Sequence, residues 1–184
     1  MSYDIVILTD SRYENPTESD WYIDQVILED ELVKKALEQK GLKVIKKAWD
    51  ATNFDWSECN YAIFRTTWDY FERFEDFFKW LTKTQKVLQF INTPEIIYWN
   101  LDKHYLKDLE QKQINIPATL FIEKGDTETL GNLFSKTSWE KAVLKPAIAG
   151  AARETYLVSS SDYKHHESNL QRLLSQEAML FQEF

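Results

Sequence analysis

Ile5-Val6-Ile7-Leu8-Thr9-Asp10 is the stretch that decides the fold, because four consecutive apolar residues end at a threonine and an acid. An apolar run of this length, without alternation, is typical of a parallel strand that is buried on both faces. Three more strands are predicted at 42–48, 61–64 and 87–91, and helices at 24–40 and 72–84. This order of elements predicts an open α/β sheet of Rossmann-like type, about 90 residues long.

The helix predicted at 24–40 has an apolar stripe. Leu28, Leu32, Ala36 and Leu37 recur at helical spacing, and Gly41 follows where a left-handed cap belongs.

The pattern changes near Asn100, which suits an N-cap and is followed by Leu101, Tyr105 and Leu109 at helical spacing. Further strands are predicted at 118–123, 142–145, 155–158 and 179–184, and helices at 127–134 and around 170–174. We therefore predict two domains, an α/β domain at 1–99 and a smaller α+β domain at 100–184.

Composition excludes several functional classes. The 184 residues carry a formal net charge of -8, which disfavours a nucleic-acid surface. No apolar run approaches the ~20 residues that span a bilayer, so no membrane segment is predicted. The single cysteine excludes an intrachain disulfide and a cysteine metal cluster, and it favours a cytoplasmic location. The four glycines are too dispersed for a dinucleotide fingerprint or a P-loop, and we predict no metal site within the chain.

The ends of the predicted strands carry a candidate substrate pocket, because ligands of open α/β sheets bind beyond the carboxyl ends of strands. The predicted pocket consists of Asp10, Arg65, Thr66, Trp68, Asp69 and Tyr70. Arg65 is the residue predicted to hold a carboxylate or phosphate through its planar guanidinium. The alternative is that Arg65 pairs with Asp69 or Asp10 as part of the loop structure, and the pattern does not separate the two.

Two lysines are candidate phosphate ligands. Lys103 is predicted to lie in the first turn of a helix, where a bound anion would compensate an otherwise unfavourable cation. The alternative is a solvated surface lysine. Lys145 ends an apolar strand just before Pro146, and its alternative is an edge-strand lysine that prevents aggregation.

The loop that follows Lys145 consists almost entirely of small residues. Residues 147–152 include Gly150 and four alanines, and Arg153 follows them. Small residues allow backbone N–H groups to approach an anion closely, so the loop is predicted to be a lid over phosphates. A long hairpin loop would have the same composition.

Taken in order, these residues resemble the ATP-grasp superfamily, and more narrowly the proteins with a prokaryotic glutathione-synthetase-like ATP-binding domain. The runs that carry the resemblance are Ala48-Trp49-Asp50, Phe54-Asp55-Trp56, Phe64-Arg65-Thr66-Thr67-Trp68-Asp69-Tyr70, Asn92-Thr93-Pro94, Trp99-Asn100-Leu101-Asp102-Lys103-His104-Tyr105-Leu106, Leu144-Lys145-Pro146 and Phe181-Gln182-Glu183-Phe184.

The resemblance implies an ATP-dependent ligase that activates a carboxylate as an acyl phosphate and joins it to an amine. Residues 1–99 would be the substrate-side domain and 100–184 the first ATP-grasp subdomain. The implied ATP-binding residues are Lys103, Lys145, Gly150, Arg153, Gln182, Glu183 and Phe184, with the last three reaching the adenine largely through backbone groups. Arg65 would orient the carboxylate substrate.

Two features depart from the family. The lid is alanine-rich where relatives are often glycine-rich, and the Mg²⁺ ligands of the family would lie beyond residue 184. The last predicted strand also stops without a cap or polar tail, so we expect a fragment that has no ligase activity alone. The alternatives are a non-catalytic α/β interaction module that retains the fold and a nucleotide-binding regulatory protein.

Overall fold

The computed structural model describes residues 2–184, which divide into two units at the junction of Ile97 and Tyr98. The first unit contains the strands β1 (Tyr3–Thr9), β2 (Val44–Ala48), β3 (Cys59–Thr66) and β4 (Gln89–Ile91), and the helices α1 (Ser11–Glu14), α2 (Trp21–Glu38) and α3 (Phe74–Thr84). The four strands are parallel in the order β2-β1-β3-β4. The predicted open α/β sheet is therefore confirmed.

The two faces of this sheet are covered differently. On one face, Ile5, Ile7 and Val44 pack against Val33 and Leu37 of α2. The other face is aromatic. Rings of Trp49, Phe64, Phe77, Trp80 and Phe90 contact one another there with centroid separations of 5.2 to 6.2 Å.

The apolar residues whose spacing predicts α2 do not all lie on its buried face. Leu28 is 49% exposed and Leu32 58% exposed, whereas Asp30 between them is 1% exposed. The reason is a buried ion cluster, because the Asp30 carboxylate lies 2.8 Å from Lys46 Nζ and 3.3 Å from Arg65 Nε. Asp30 with its two cationic partners therefore lies on the face of α2 that meets the sheet, together with Val33 and Leu37.

The second unit, Tyr98–Phe184, is built on an antiparallel sheet. Its strands are β5 (Thr119–Ile122), β6 (Lys141–Pro146), β7 (Tyr156–Ser159) and β8 (Met179–Glu183), in the order β5-β8-β6-β7. Its helices are α5 (Tyr105–Gln111), α6 (Leu130–Thr137) and α7 (Glu167–Leu174), and α4 (Pro94–Leu101) runs across the junction of the units. A core that includes Phe134, Leu144, Leu170 and Phe181 fills the space between one sheet face and its helices.

The helix predicted to begin after Asn100 is instead two helices. Asn100 lies inside α4, which starts at Pro94. Proline suits the first position of a helix, because the N–H that it lacks would be unpaired there. Asp102 then starts a new turn by accepting a hydrogen bond from the His104 N–H at 2.9 Å. Similarly, α6 starts later than predicted because Thr129 caps it.

Within residues 2–184, no helix is both long enough and apolar enough to cross a membrane.

Candidate functional site

Two lysines from separate segments meet at one cavity of the second unit. The cavity has a volume of about 280 Å³. It is lined by Lys103, Lys145, Ala149, Gly150, Ala151, Ala152 and Thr155. The structure thus brings together the two predicted phosphate ligands and the small-residue loop.

Lys103 lies in the turn between α4 and α5, and its ammonium is directed at the small-residue loop. Its Nζ donates to the carbonyls of Ala149 at 2.8 Å and Ala147 at 3.2 Å. The predicted place in a first helical turn is wrong, since Lys103 precedes α5 by two residues. The surface-lysine alternative is also wrong, because the residue is partly buried against these carbonyls.

Lys145 lies on β6, which has β8 on one side and β7 on the other, so the edge-strand alternative is wrong. Its Nζ donates to Oε1 of Gln182 at 2.7 Å. The amide of Gln182 in turn donates to Oγ1 of Thr119 at 2.8 Å.

In the described part of the chain, the two lysines form no ion pair, although the negative charges of Asp102 and Glu177 act on Lys103. Among residues 2–184, both ammonium groups donate only to uncharged oxygens. Burial lowers the pKa of Lys103, and the nearby charge of Lys145 lowers it further. Burial likewise lowers the pKa of Lys145. A bound anion would relieve both effects, so the cavity fits a polyanion such as a row of phosphates.

The small-residue loop connects β6 to β7 as an antiparallel hairpin. Ala151, Ala152 and Glu154 have φ values of 48°, 57° and 49°, in the left-handed region that side chains other than glycine rarely adopt. Arg153 anchors the loop, because its guanidinium binds the Glu177 carboxylate at 2.9 and 2.5 Å and the Ile148 carbonyl at 3.1 Å. These contacts hold the shape of the loop, and ATP binding by Arg153, which the resemblance implies, stays a prediction.

A second cluster lies at the carboxyl edge of the parallel sheet in the first unit. Asp10 and Asp69 are 0% and 6% exposed. Arg12 binds the Asp10 carboxylate through Nε at 3.1 Å and a terminal nitrogen at 2.7 Å. Asp69 accepts from the indole of Trp49 at 2.7 Å and is paired with Arg73.

Arg65 is not paired with either of these acids. Its guanidinium turns to α2 and lies 3.3 Å from both Glu29 and Asp30. The alternative in which Arg65 pairs with Asp69 or Asp10 is therefore wrong. Thr66 joins the same network, since its hydroxyl lies 2.6 Å from that of Thr9 and 3.3 Å from the Asp30 carboxylate.

The sequence analysis missed Arg12 and Arg73 at this edge. Their side chains are 55% and 40% exposed, and each is held by a buried carboxylate. The signal that could have found them is spacing, because each arginine follows its acid by two or four residues in the chain. Of the predicted aromatic walls, Trp68 is 40% exposed, whereas Tyr70 packs on Phe77 with ring centroids 5.6 Å apart.

The first unit is similar in sequence to known proteins. Residues 5–92 match the family model for the N-terminal domain of D-cycloserine synthetase DcsG. The cycloserine biosynthesis protein DcsG of Streptomyces lavendulae is 29% identical over 77 residues, which is 42% of this chain and 26% of that protein.

Solved structures extend the likeness to both units. The crystal structure of D-cycloserine synthetase DcsG superposes with a TM-score of 0.83 at 19% identity, over 98% of this chain and 59% of that one. A RimK domain ATP-grasp protein from Sphaerobacter thermophilus superposes with a TM-score of 0.63 at 14% identity, over 98% of this chain and 63% of that one. D-alanine–D-alanine ligase from Bacillus anthracis superposes with a TM-score of 0.60 at 12% identity, over 100% of this chain and 58% of that one.

This chain has the fold of the N-terminal part of ATP-grasp ligases. It spans about 60% of the length of the ATP-grasp structures it matches. The predicted resemblance to the ATP-grasp superfamily is thereby confirmed for the fold. The narrower likeness to prokaryotic glutathione synthetases stays a prediction.

The predicted adenine segment is the end of β8. The backbone N–H groups of Glu183 and Phe184 donate to the carbonyls of Ala118 at 2.9 Å and Lys141 at 3.3 Å. The side chain of Gln182 faces Lys145. Adenine binding by these three residues stays a prediction.

Proposed function

We propose that the protein is an ATP-dependent ligase that activates a carboxylate as an acyl phosphate and joins it to an amine. One observation carries the proposal: two partly buried lysines share a cavity of an ATP-grasp fold with only neutral partners among the described residues. Two partly buried cations kept together without a directly bonded carboxylate are costly unless an anion binds between them. The use of ATP is also consistent with a cytoplasmic location.

Each residue at the cavity has a chemical task in this proposal. When ATP is bound, it supplies the phosphoryl group that activates the carboxylate. Lys103 and Lys145 neutralise phosphate oxygens, where charge accumulates as the carboxylate attacks. Lys103 exchanges its two loop carbonyls for phosphate oxygens. The small side chains at 149–152, Gly150 included, leave the loop backbone free to approach them.

Magnesium has no assigned place in these steps. Among residues 2–184 there is no group of three or more His, Cys, Asp or Glu side chains that could hold a metal ion. The ATP-grasp resemblance implies Mg²⁺ ligands beyond residue 184, so we assign none within this chain.

For the carboxylate substrate, we propose the carboxyl edge of the parallel sheet. Asp10, Thr66, Trp68, Asp69 and Tyr70 surround this edge in the predicted pocket, with Arg65 beside them. Arg12 and Arg73 add guanidinium groups that buried carboxylates hold in place. A guanidinium fixed in this way can orient a carboxylate at low entropic cost. The substrates are small molecules in this proposal, and nucleic acid has no part in it.

Trapping of the acyl phosphate tests the proposed reaction. Hydroxylamine converts an acyl phosphate to a hydroxamate, which gives a coloured iron complex. We expect the protein, expressed from its complete gene, to form hydroxamate with ATP and one member of a panel of small carboxylates that includes amino acids. A Lys145→Met variant should form none. Saturable ATP binding without hydroxamate from any panel member would favour the nucleotide-binding module instead.

Binding of ATP should depend on pH through the lysine pair. Burial holds both lysine pKa values below the ordinary 10.5 in the free protein, and bound phosphates would raise them again. Between the free and bound pKa values, binding takes up protons, so affinity should fall as pH rises within that window. Calorimetry at several pH values up to 10.5, each in two buffers of different ionisation enthalpy, measures this uptake. If ATP binding took up no protons at every pH tested below 10.5, the assignment of the two lysines as phosphate ligands would be contradicted.

A further inference from the structure

The neutral partner of Lys145 is held by a chain of hydrogen bonds across three strands. Thr119 Oγ1 donates to the carbonyl of Pro117 at 2.7 Å, so its remaining capacity is to accept. It accepts from the amide nitrogen of Gln182 at 2.8 Å, which leaves the amide oxygen directed at Lys145 Nζ, 2.7 Å away. Gln182, at the centre of this series of hydrogen bonds, is 8% exposed.

The chemistry of that partner matters more than its geometry. A glutamate of the same length would also reach Lys145, but it would form an ion pair and cancel the charge that a phosphate needs. An amide oxygen satisfies one N–H of the ammonium and adds no charge. The side chain therefore holds the cation in place while its charge stays available.

We propose that Gln182 is a positioning residue that holds Lys145 at the cavity as an uncompensated charge, with Thr119 fixing which end of the amide meets the ammonium. The proposal rests on the nucleotide site proposed above and adds a requirement on one neighbouring side chain. Gln182 acts in it through Lys145, in addition to any contact of its backbone with adenine.

Gln182→Glu is the decisive variant. In the 184-residue chain, we expect binding of ATP and of inorganic tripolyphosphate to weaken at least 10-fold, because the new carboxylate neutralises Lys145 and repels phosphate. The titration of Lys145, followed by NMR of its ammonium group, should move to higher pH. Tripolyphosphate separates this effect from adenine recognition, because it has no base.

Matched variants separate charge from packing. Gln25→Glu adds the same charge at an exposed position of α2 and should change neither measurement. Thr119→Val removes the acceptor that orients the amide and should weaken tripolyphosphate binding several-fold, while Thr119→Ser should restore it. If Gln182→Glu does not fold, tripolyphosphate binding and the Lys145 titration are measured instead on Gln182→Met, Thr119→Val and Thr119→Ser. These variants then decide the question.

Different results would overturn the two proposals. A folded Gln182→Glu chain with an unchanged Lys145 titration, or with unchanged tripolyphosphate affinity, would overturn the role of Gln182. If the wild-type chain bound neither ATP nor tripolyphosphate, the proposed nucleotide site would fail. The Lys145 titration would still show whether Gln182 controls the charge.

Discussion

Lys145→Met should weaken ATP binding by about 10- to 100-fold, since a hydrogen bond to a charged group contributes about 1.5–3 kcal/mol. The free energy of unfolding should change by less than about 1 kcal/mol. The variant loses the bond to Gln182, but it no longer buries an ammonium that lacks an anionic partner, and methionine has a similar length. A residue whose loss removes binding and leaves stability unchanged is kept for function.

Lys141→Met is the matched control, because Lys141 lies on the same strand with its side chain exposed and outside the cavity lining. Isothermal titration with ATP and urea unfolding followed by circular dichroism measure the two quantities. Equal affinities for the two methionine variants would remove Lys145 from the site. A loss of several kcal/mol of stability in Lys145→Met alone would make the lysine a structural residue.

How far the sequence predicts the site depends on the kind of information each residue carries. Lys145 is a candidate on local evidence alone, because a strand that ends in Lys-Pro before a run of small residues can be read directly from the sequence. Lys103 was identified as a phosphate ligand but placed wrongly, since Pro94 starts an earlier helix and Asp102 starts a new turn. Convergence of the two lysines is a tertiary property that spacing cannot supply.

The partner of Lys145 could not be predicted, because it depends on strand register. Gln182 lies opposite Val143 on β6 and opposite Thr119 on β5, so it reaches Lys145 diagonally. The sequence predicts all three strands but not which residues face each other, and a one-residue shift would turn Gln182 to the other sheet face.

In the first unit, the limit of prediction was a buried polar residue. Alternation and helical spacing locate apolar faces, and they predicted the parallel strands correctly. The spacing of Leu28 and Leu32 predicts the helix, but it does not show that the helix buries Asp30, because an aspartate is not expected in a core. The same cluster explains Arg65, since its guanidinium is bound to Asp30 on the sheet face that α2 covers.

Asp30→Ala should destabilise the chain by about 3–5 kcal/mol, the usual result of removing one partner of a buried ion pair. The carboxylate is 1% exposed, and its loss leaves Lys46, whose side chain is 11% exposed, without an anionic partner nearby. Urea unfolding followed by tryptophan fluorescence measures the change.

Glu29→Ala tests whether burial is the cause, because Glu29 also contacts Arg65 but its side chain is 71% exposed. Water screens that pair, so its loss should have little effect on stability. Leu28→Ala should also have little effect, although the apolar pattern places Leu28 in the core. If Leu28→Ala destabilised the chain more than Asp30→Ala, the apolar stripe would orient α2. If Asp30→Ala and Glu29→Ala were equally mild, the ion cluster would not hold the helix.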